Sequence, residues 1–139
     1  MIKAVIDANV VVSALINKKG TPAKILDHLQ FDRFVMVVSK EILFEIRRVL
    51  KYPKWVKIHQ LSFIEIDEFV NNLETLSLSV ILRGGHQFPV RDINDVIYLE
   101  AAEVSQADYV VSGDKDLRAL EQYHFIPILS PRKFLNLLK

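Results

Sequence analysis

The chain has 139 residues, with 18 lysines and arginines against 17 aspartates and glutamates, so its formal net charge is +1. Half of the residues are hydrophobic and a quarter are charged. This composition predicts one folded domain over residues 1–139 and excludes wholesale disorder. The chain has no cysteine, which excludes disulfides and thiolate metal sites.

The first 15 residues are apolar but are interrupted by Lys3, Asp7 and Asn9. Signal peptides and membrane spans both need an unbroken apolar run, so this segment favours a protein of the cytoplasm with no membrane contact. The near-neutral net charge gives no nucleic-acid signature by itself, and only the placement of the charges can indicate a partner.

Five short apolar runs predict strands that are buried on both faces, as in a parallel sheet. They span residues 2–6, 34–38, about 78–82, 109–111 and 126–129. Segments with helical spacing lie between them, at residues 22–30, 39–50, 62–76, 94–104 and 115–122, and after Ser130. Strands that alternate with helices predict an α/β fold, and we expect the helix at 62–76 to pack against the helix at 39–50.

Acidic side chains follow the predicted strands, where open parallel sheets bind their ligands. Asp7 follows the first run, Asp114 follows the run at 109–111, and Asp95 lies at the start of an apolar helix. Glu45 borders the apolar stripe of the helix at 39–50. The acids considered are Asp7, Glu45, Asp92, Asp95, Asp114 and Asp116.

These acids also have a structural explanation as helix caps. Asp and Asn are favoured at helix N-termini, so Asp7 or Asn9 can cap the first helix and Asp114 the helix at 115–122. Asp92 and Asp95 have the spacing of an N-cap and the third helical residue. Local sequence alone therefore leaves structural and catalytic roles open.

Several carboxylates in one place are chemically meaningful when a cation offsets their repulsion. Two carboxylates ~4 Å apart repel by ~1 kcal/mol in water and by ~4 kcal/mol at intermediate dielectric. Mg²⁺ prefers oxygen ligands, and a bound metal can activate water for attack on a phosphodiester. The four histidines have no ligand spacing, and we interpret them as structural or surface residues.

The order of these groups resembles the PIN-domain family, in particular the compact members described as toxins of toxin–antitoxin pairs. Residues 7–15 resemble the opening motif, an acid, a small residue, asparagine and then apolar residues. Residues 39–45 resemble the second motif, 92–99 the third and 112–117 the fourth. Ile93 and Asn94 differ from the proline and acid of many relatives, which leaves the division of roles between Asp92 and Asp95 open.

The resemblance implies a three-layer α/β/α sandwich with a mainly parallel sheet of about five strands. It implies an endoribonuclease that uses one or two Mg²⁺ or Mn²⁺ ions, forms a homodimer and is inhibited by a separate antitoxin protein. The implied catalytic residues are Asp7, Glu45, Asp95 and Asp114; the metal ligands are Asp7, Asp95, Asp114 and Asp116; the supporting residues are Asn9, Asp92 and Ser112.

A basic stretch follows Glu45 and is the sequence's main indication of an RNA substrate. Arg47, Arg48 and Lys51 are predicted to bind the phosphate backbone, with the neighbouring aromatics Tyr52 and Trp55 available to stack on a base. The alternative is a solvated helix end, in which Glu45 simply pairs with Arg47 or Arg48.

Two other functions fit parts of the pattern. An aspartate-based phosphatase or phospho-acceptor domain also places an acid such as Asp7 after its first strand, and Lys115 would be its lysine. A catalytically silent binding module would keep the acids as caps and use the apolar helix at 62–76 as its interface.

Overall fold

The computed structural model of the chain describes residues 1–84 and 93–139, with the backbone alone at residues 93 and 94. Asp92 therefore lies outside the described residues. The helices in these two ranges are Ala8–Ile16 (α1), Thr21–Gln30 (α2), Lys40–Leu50 (α3), Pro53–His59 (α4), Phe63–Leu76 (α5), Ile93–Ser105 (α6), Lys115–Ala119 (α7) and Pro131–Leu138 (α8). The strands are Lys3–Ile6 (β1), Val35–Val38 (β2), Leu78–Ser79 (β3), Tyr109–Val111 (β4), Gln122–Tyr123 (β5) and Ile126–Leu129 (β6).

The strands form one sheet in the order β3-β2-β1-β4-β6-β5. All neighbouring pairs are parallel except β5 with β6. The chain runs outward from β1 through β2 to β3, and then returns to the other side of β1 to form β4. Strand order therefore reverses between β1 and β4, which is where open α/β sheets place their ligands.

Strand β1 is buried on both faces of the sheet. Successive side chains of a strand point to opposite faces, and Ala4, Val5 and Ile6 are all fully buried. Helix α6 contacts β1, β2 and β4, while α7 and α8 contact β6. This burial confirms the predicted α/β/α sandwich, although the sheet has six strands where about five were predicted.

The sixth strand begins at Gln122, the last residue of a segment that was predicted to be helical. Helix α7 ends at Ala119 instead of continuing to residue 122, because Glu121 adopts a left-handed φ of 62° and the chain turns away. Gln122 and Tyr123 then pair with β6 across a two-residue turn formed by His124 and Phe125. Both turn residues have positive φ, as two-residue hairpins of this twist require.

Strand β3 is shorter than predicted and α4 was not predicted. The sheet pairing of β3 ends at Val80, whose N–H donates to the Val38 carbonyl. Beyond this point the backbone is bound to α6, since the Glu100 carboxylate accepts from the N–H groups of Arg83 and Gly84. Helix α4 has no buried residue and therefore shows no apolar stripe.

Helices α3 and α5 pack together as predicted. Helix α5 begins with a capping box, in which Ser62 and Glu65 each accept a backbone N–H of the other. Arg47 of α3 and Lys51, which follows the end of α3, both reach the Asp67 carboxylate of α5, at 2.9 and 3.4 Å. Within the described ranges, none of the helices has the length and apolarity that a membrane crossing demands.

Candidate active site

Asp7 and Ser112 meet at the point where the strand order reverses. Asp7 follows β1 and Ser112 follows β4, and the Asp7 N–H donates to the Val111 carbonyl at 2.9 Å. Ser112 is fully buried and donates its hydroxyl to Asp7 Oδ2 at 2.7 Å. Asp7 itself is only 4 % exposed. The parallel pairing of β1 and β4 thus brings together two residues that are 105 positions apart in the sequence.

Burial is the main reason why the pKa of Asp7 is raised above its ordinary value. The hydrogen bonds from Ser112 and from the Asn9 backbone act in the opposite direction, because they stabilise the carboxylate. The negative charges of Asp114 and Glu45 raise the pKa further. These two acids are therefore close enough to Asp7 for their charges to be felt there.

Asp7 also caps α1, as the structural alternative predicted. Its Oδ1 accepts the backbone N–H of Asn9 at 3.0 Å, while the Asn9 side chain is exposed. Asn9 thus supports the carboxylate through its backbone. The preceding N–H, that of Ala8, donates to the Tyr98 hydroxyl at 3.1 Å. The positive end of the α1 dipole consequently lies beside the Asp7 carboxylate.

Ser112 also connects Asp7 to Asp114. Its Oγ accepts the Asp114 N–H at 2.9 Å. Asp114 is half-buried and caps α7 by accepting the Asp116 N–H at 2.9 Å, whereas the Asp116 side chain is exposed. One serine oxygen is therefore hydrogen-bonded to both acids.

Asp95 and Tyr98 extend the site onto α6. Asp95 lies in the first turn of the helix and is 7 % exposed, and Tyr98 is 3 % exposed. The pKa of the Tyr98 hydroxyl is strongly raised, first by burial and then by the charges of Asp7, Glu45 and Asp95. The charges of three of the predicted catalytic acids therefore act on this hydroxyl. No role was predicted for Tyr98, although it lies on the same face of α6 as Asp95, three residues away.

We expect Tyr98→Phe to destabilise the protein and to reduce its activity. Loss of the hydroxyl leaves the buried Ala8 N–H without its acceptor, which should lower the free energy of unfolding by about 1–3 kcal/mol in urea titrations. Tyr123→Phe is the matched control, since that hydroxyl donates to Glu103 at 3.2 Å, away from the acids. Equal activity in the two variants would contradict a role for Tyr98 in the site.

Glu45 is half-buried and forms the ion pair that the sequence left open. Arg48 donates to both carboxylate oxygens, at 2.7 and 3.3 Å, and also contacts the Tyr52 hydroxyl. Glu45 nevertheless raises the pKa values of both Asp7 and Tyr98. It is therefore both a partner of Arg48 and a member of the acidic group.

The residues predicted to bind RNA are already engaged by acids of the chain. Arg47 and Lys51 pair with Asp67, and Arg48 pairs with Glu45. Exposed ion pairs of this kind are weak, typically about 0–1 kcal/mol, so phosphate can compete for these cations. Their contact with RNA remains a prediction.

A comparison with protein-family models finds a match between residues 3–116 of the chain and the model described as PIN domain. The chain belongs to the PIN-domain family. The matched span contains Asp7, Glu45, Asp95, Asp114 and Asp116. Over 122 residues the chain is also 38 % identical to an uncharacterized protein of Methanocaldococcus jannaschii, across 86 % of this chain and 75 % of that protein. PIN domains are generally nucleases and typically bind divalent metals, so the family supports a hydrolase.

The residues of this PIN domain fit a divalent metal in their chemistry. The acids supply the oxygen ligands that Mg²⁺ and Mn²⁺ prefer, and two of them, Asp7 and Asp114, are joined through Ser112 after neighbouring parallel strands. Among the described residues, however, no three acidic or histidine side chains lie close enough to hold one ion between them. Ligation of one ion by this set thus requires side-chain adjustment.

Proposed function

We propose that this PIN domain is an endoribonuclease that depends on Mg²⁺ or Mn²⁺ and hydrolyses RNA phosphodiester bonds. The observation that carries the proposal is Asp7, a carboxylate that is buried at the strand-order reversal and whose pKa is raised mainly by that burial and further by neighbouring acids. No cation pairs with Asp7 in the described part of the chain, so a metal ion is the natural counter-charge.

Each acid has a distinct part in this proposal. Asp7, Asp95 and Asp114 are the principal metal ligands, with Asp116 added to them, and Glu45 completes the catalytic acids. Ser112, the Asn9 backbone and Tyr98 position the carboxylate of Asp7. The metal would supply water activation and stabilisation of the leaving oxygen. Asp92 keeps its proposed supporting role on the resemblance alone.

The test is RNA cleavage by purified protein, freed of bound RNA, in Mg²⁺, Mn²⁺ or EDTA. We expect cleavage in either metal, none in EDTA and none in Asp95→Asn. Asp32→Asn is the matched control: it makes the same chemical change at an exposed residue before β2, at the opposite edge of the sheet. Its φ of 56° suits asparagine. Cleavage that survives EDTA or persists in Asp95→Asn would contradict the proposal.

The resemblance to toxin-type members extends the proposal to a toxin that a cytoplasmic antitoxin restrains. Phe63 and Ile64 support an interface for an antitoxin or a second copy, since they lie together on α5 and are 56 % and 71 % exposed. Induced expression should arrest growth if the chain is a toxin, and Asp7→Asn should relieve the arrest.

A catalytically silent binding module is the second candidate. The observation that favours this candidate is that three of the acids have structural roles. Asp7 and Asp114 cap helices, and Glu45 pairs with Arg48. A folded protein that neither binds Mn²⁺ in calorimetry nor cleaves RNA would decide for this candidate.

A further inference from the structure

A cleft of about 740 Å³ runs along α3 directly beside the acidic group. Glu45 and Arg48 form part of its wall, and Ile97 of α6 faces them. Phe44 and Lys40 line the same cleft one helical turn apart. Any molecule in this cleft is therefore adjacent to a proposed catalytic acid.

Phe44 differs from the other aromatic residues near this cleft because the face of its ring is not covered by another described side chain. Its side chain is 63 % exposed, and no ring or cation of the described residues lies over it. By contrast, cations lie over Tyr52, Trp55 and Phe63, at 5.5, 4.4 and 5.1 Å from the ring centroids. Phe44 thus offers an open aromatic face inside a cleft.

The charges of the cleft fit a nucleic acid better than an apolar protein surface. Lys40, Arg47 and Arg48 face two carboxylates, those of Glu41 and Glu45. Lys40 is exposed and makes no hydrogen bond or ion pair within the described ranges. An aromatic platform with a free cation beside it is the combination that holds unpaired bases and their phosphates.

We propose that Phe44 is a base-stacking platform for an unpaired nucleobase of the RNA next to the cleavage site, and that Lys40 binds a flanking phosphate. The inference rests on the proposed function and adds to it a base-stacking residue and a phosphate-binding residue. The sequence had suggested Tyr52 and Trp55 as the residues that stack on a base. The proposal assigns this role to Phe44 instead, which directly precedes Glu45 in the sequence.

The test measures binding in EDTA, where cleavage is suppressed, with two fluorescent probes. One is a mixed-sequence single-stranded RNA of about 12 nucleotides, and the other is an abasic strand of the same length. Phe44→Ala should weaken binding of the RNA by about 5- to 100-fold and leave binding of the abasic strand unchanged. Phe44→Trp should restore RNA binding. Lys40→Ala should weaken both probes and lower the salt slope by about 1.

Phe31→Ala is the matched control, an equally exposed phenylalanine before β2 at the opposite edge of the sheet. The inference is overturned if the wild type binds no RNA, if Phe44→Ala weakens both probes equally, or if it changes only the oligomeric state in size-exclusion chromatography. A wild type that binds RNA through Phe44 but does not cut it with Mn²⁺ would overturn the proposed function alone.

Discussion

Asp7→Asn is expected to abolish metal-dependent RNA cleavage, by at least about 1000-fold, because a metal supplies several kcal/mol of transition-state stabilisation. The fold should survive the change. Asparagine keeps an oxygen to accept the Asn9 N–H, and its amide can donate to the Ser112 oxygen. Single-turnover cleavage in Mn²⁺, with the fold checked by circular dichroism, measures the effect.

The same variant should be more stable than the wild type when no metal is present. The folded-state pKa of Asp7 is raised, so the folded protein binds this proton more tightly than the unfolded chain does. The Asp7 side chain therefore lowers the free energy of unfolding once it is ionised. This loss is absent below the ordinary aspartate pKa of about 4 and grows as pH rises towards the folded-state pKa. The melting temperature of Asp7→Asn in EDTA should therefore exceed that of the wild type at neutral pH, and the two should converge in acid.

Saturating Mn²⁺ should reverse this order, since a ligand that binds only the folded state stabilises it. Asp32→Asn serves again as the control and should follow the wild type in every buffer. A melting temperature of Asp7→Asn below that of the wild type in EDTA at neutral pH would contradict this prediction. Asp7 would then be a structural cap whose charge does not destabilise the fold.

Ser112→Ala is expected to weaken both stability and catalysis. The change leaves Asp7 Oδ2 and the Asp114 N–H without their common partner in a fully buried position. We expect a loss of about 1–3 kcal/mol in urea unfolding. Cleavage should fall by about 10- to 100-fold, as is typical when a residue that orients metal ligands is removed.

A pH profile distinguishes positioning from simple destabilisation in Ser112→Ala. The serine hydroxyl lowers the pKa of Asp7, so its loss should shift the acid limb of the activity profile to higher pH. Ser130→Ala is the matched control: it removes the N-cap of α8, whose oxygen accepts the Lys133 N–H at 3.3 Å. It should cost about 1 kcal/mol and leave the pH profile unchanged. Identical profiles for both variants would assign Ser112 a purely structural role.

Much of this site followed from local sequence. Asp7 and Asp114 each follow a short apolar strand, and parallel pairing dictates that such positions share one edge of the sheet. The Glu45–Arg48 pair follows from helical spacing alone. Helix α5 was located by its apolar period, and Ser62, the first residue of the predicted range 62–76, is its N-cap.

Other features depend on contacts between distant segments, which one sequence does not reveal. The bond from Ala8 to Tyr98 joins residues 90 positions apart, and only the packing of α6 on β1 brings them together. The β5–β6 hairpin was missed because His124 and Phe125 occupy positive-φ turn positions that Asn-Gly normally marks. The ion pairs of Asp67 with Arg47 and Lys51 likewise depend on how α5 packs against α3.

The Arg48–Glu45 pair would have a thermodynamic consequence if Glu45 also joined the proposed metal ligands. The guanidinium is then a competitor that the chain carries within itself, and each arriving ion must displace it. Displacement would leave Arg48 with an unneutralised charge in the wall of the Phe44 cleft, where it can attract phosphate. Metal loading and RNA affinity would then be linked, and by reciprocity RNA would tighten the hold on the metal by the same factor.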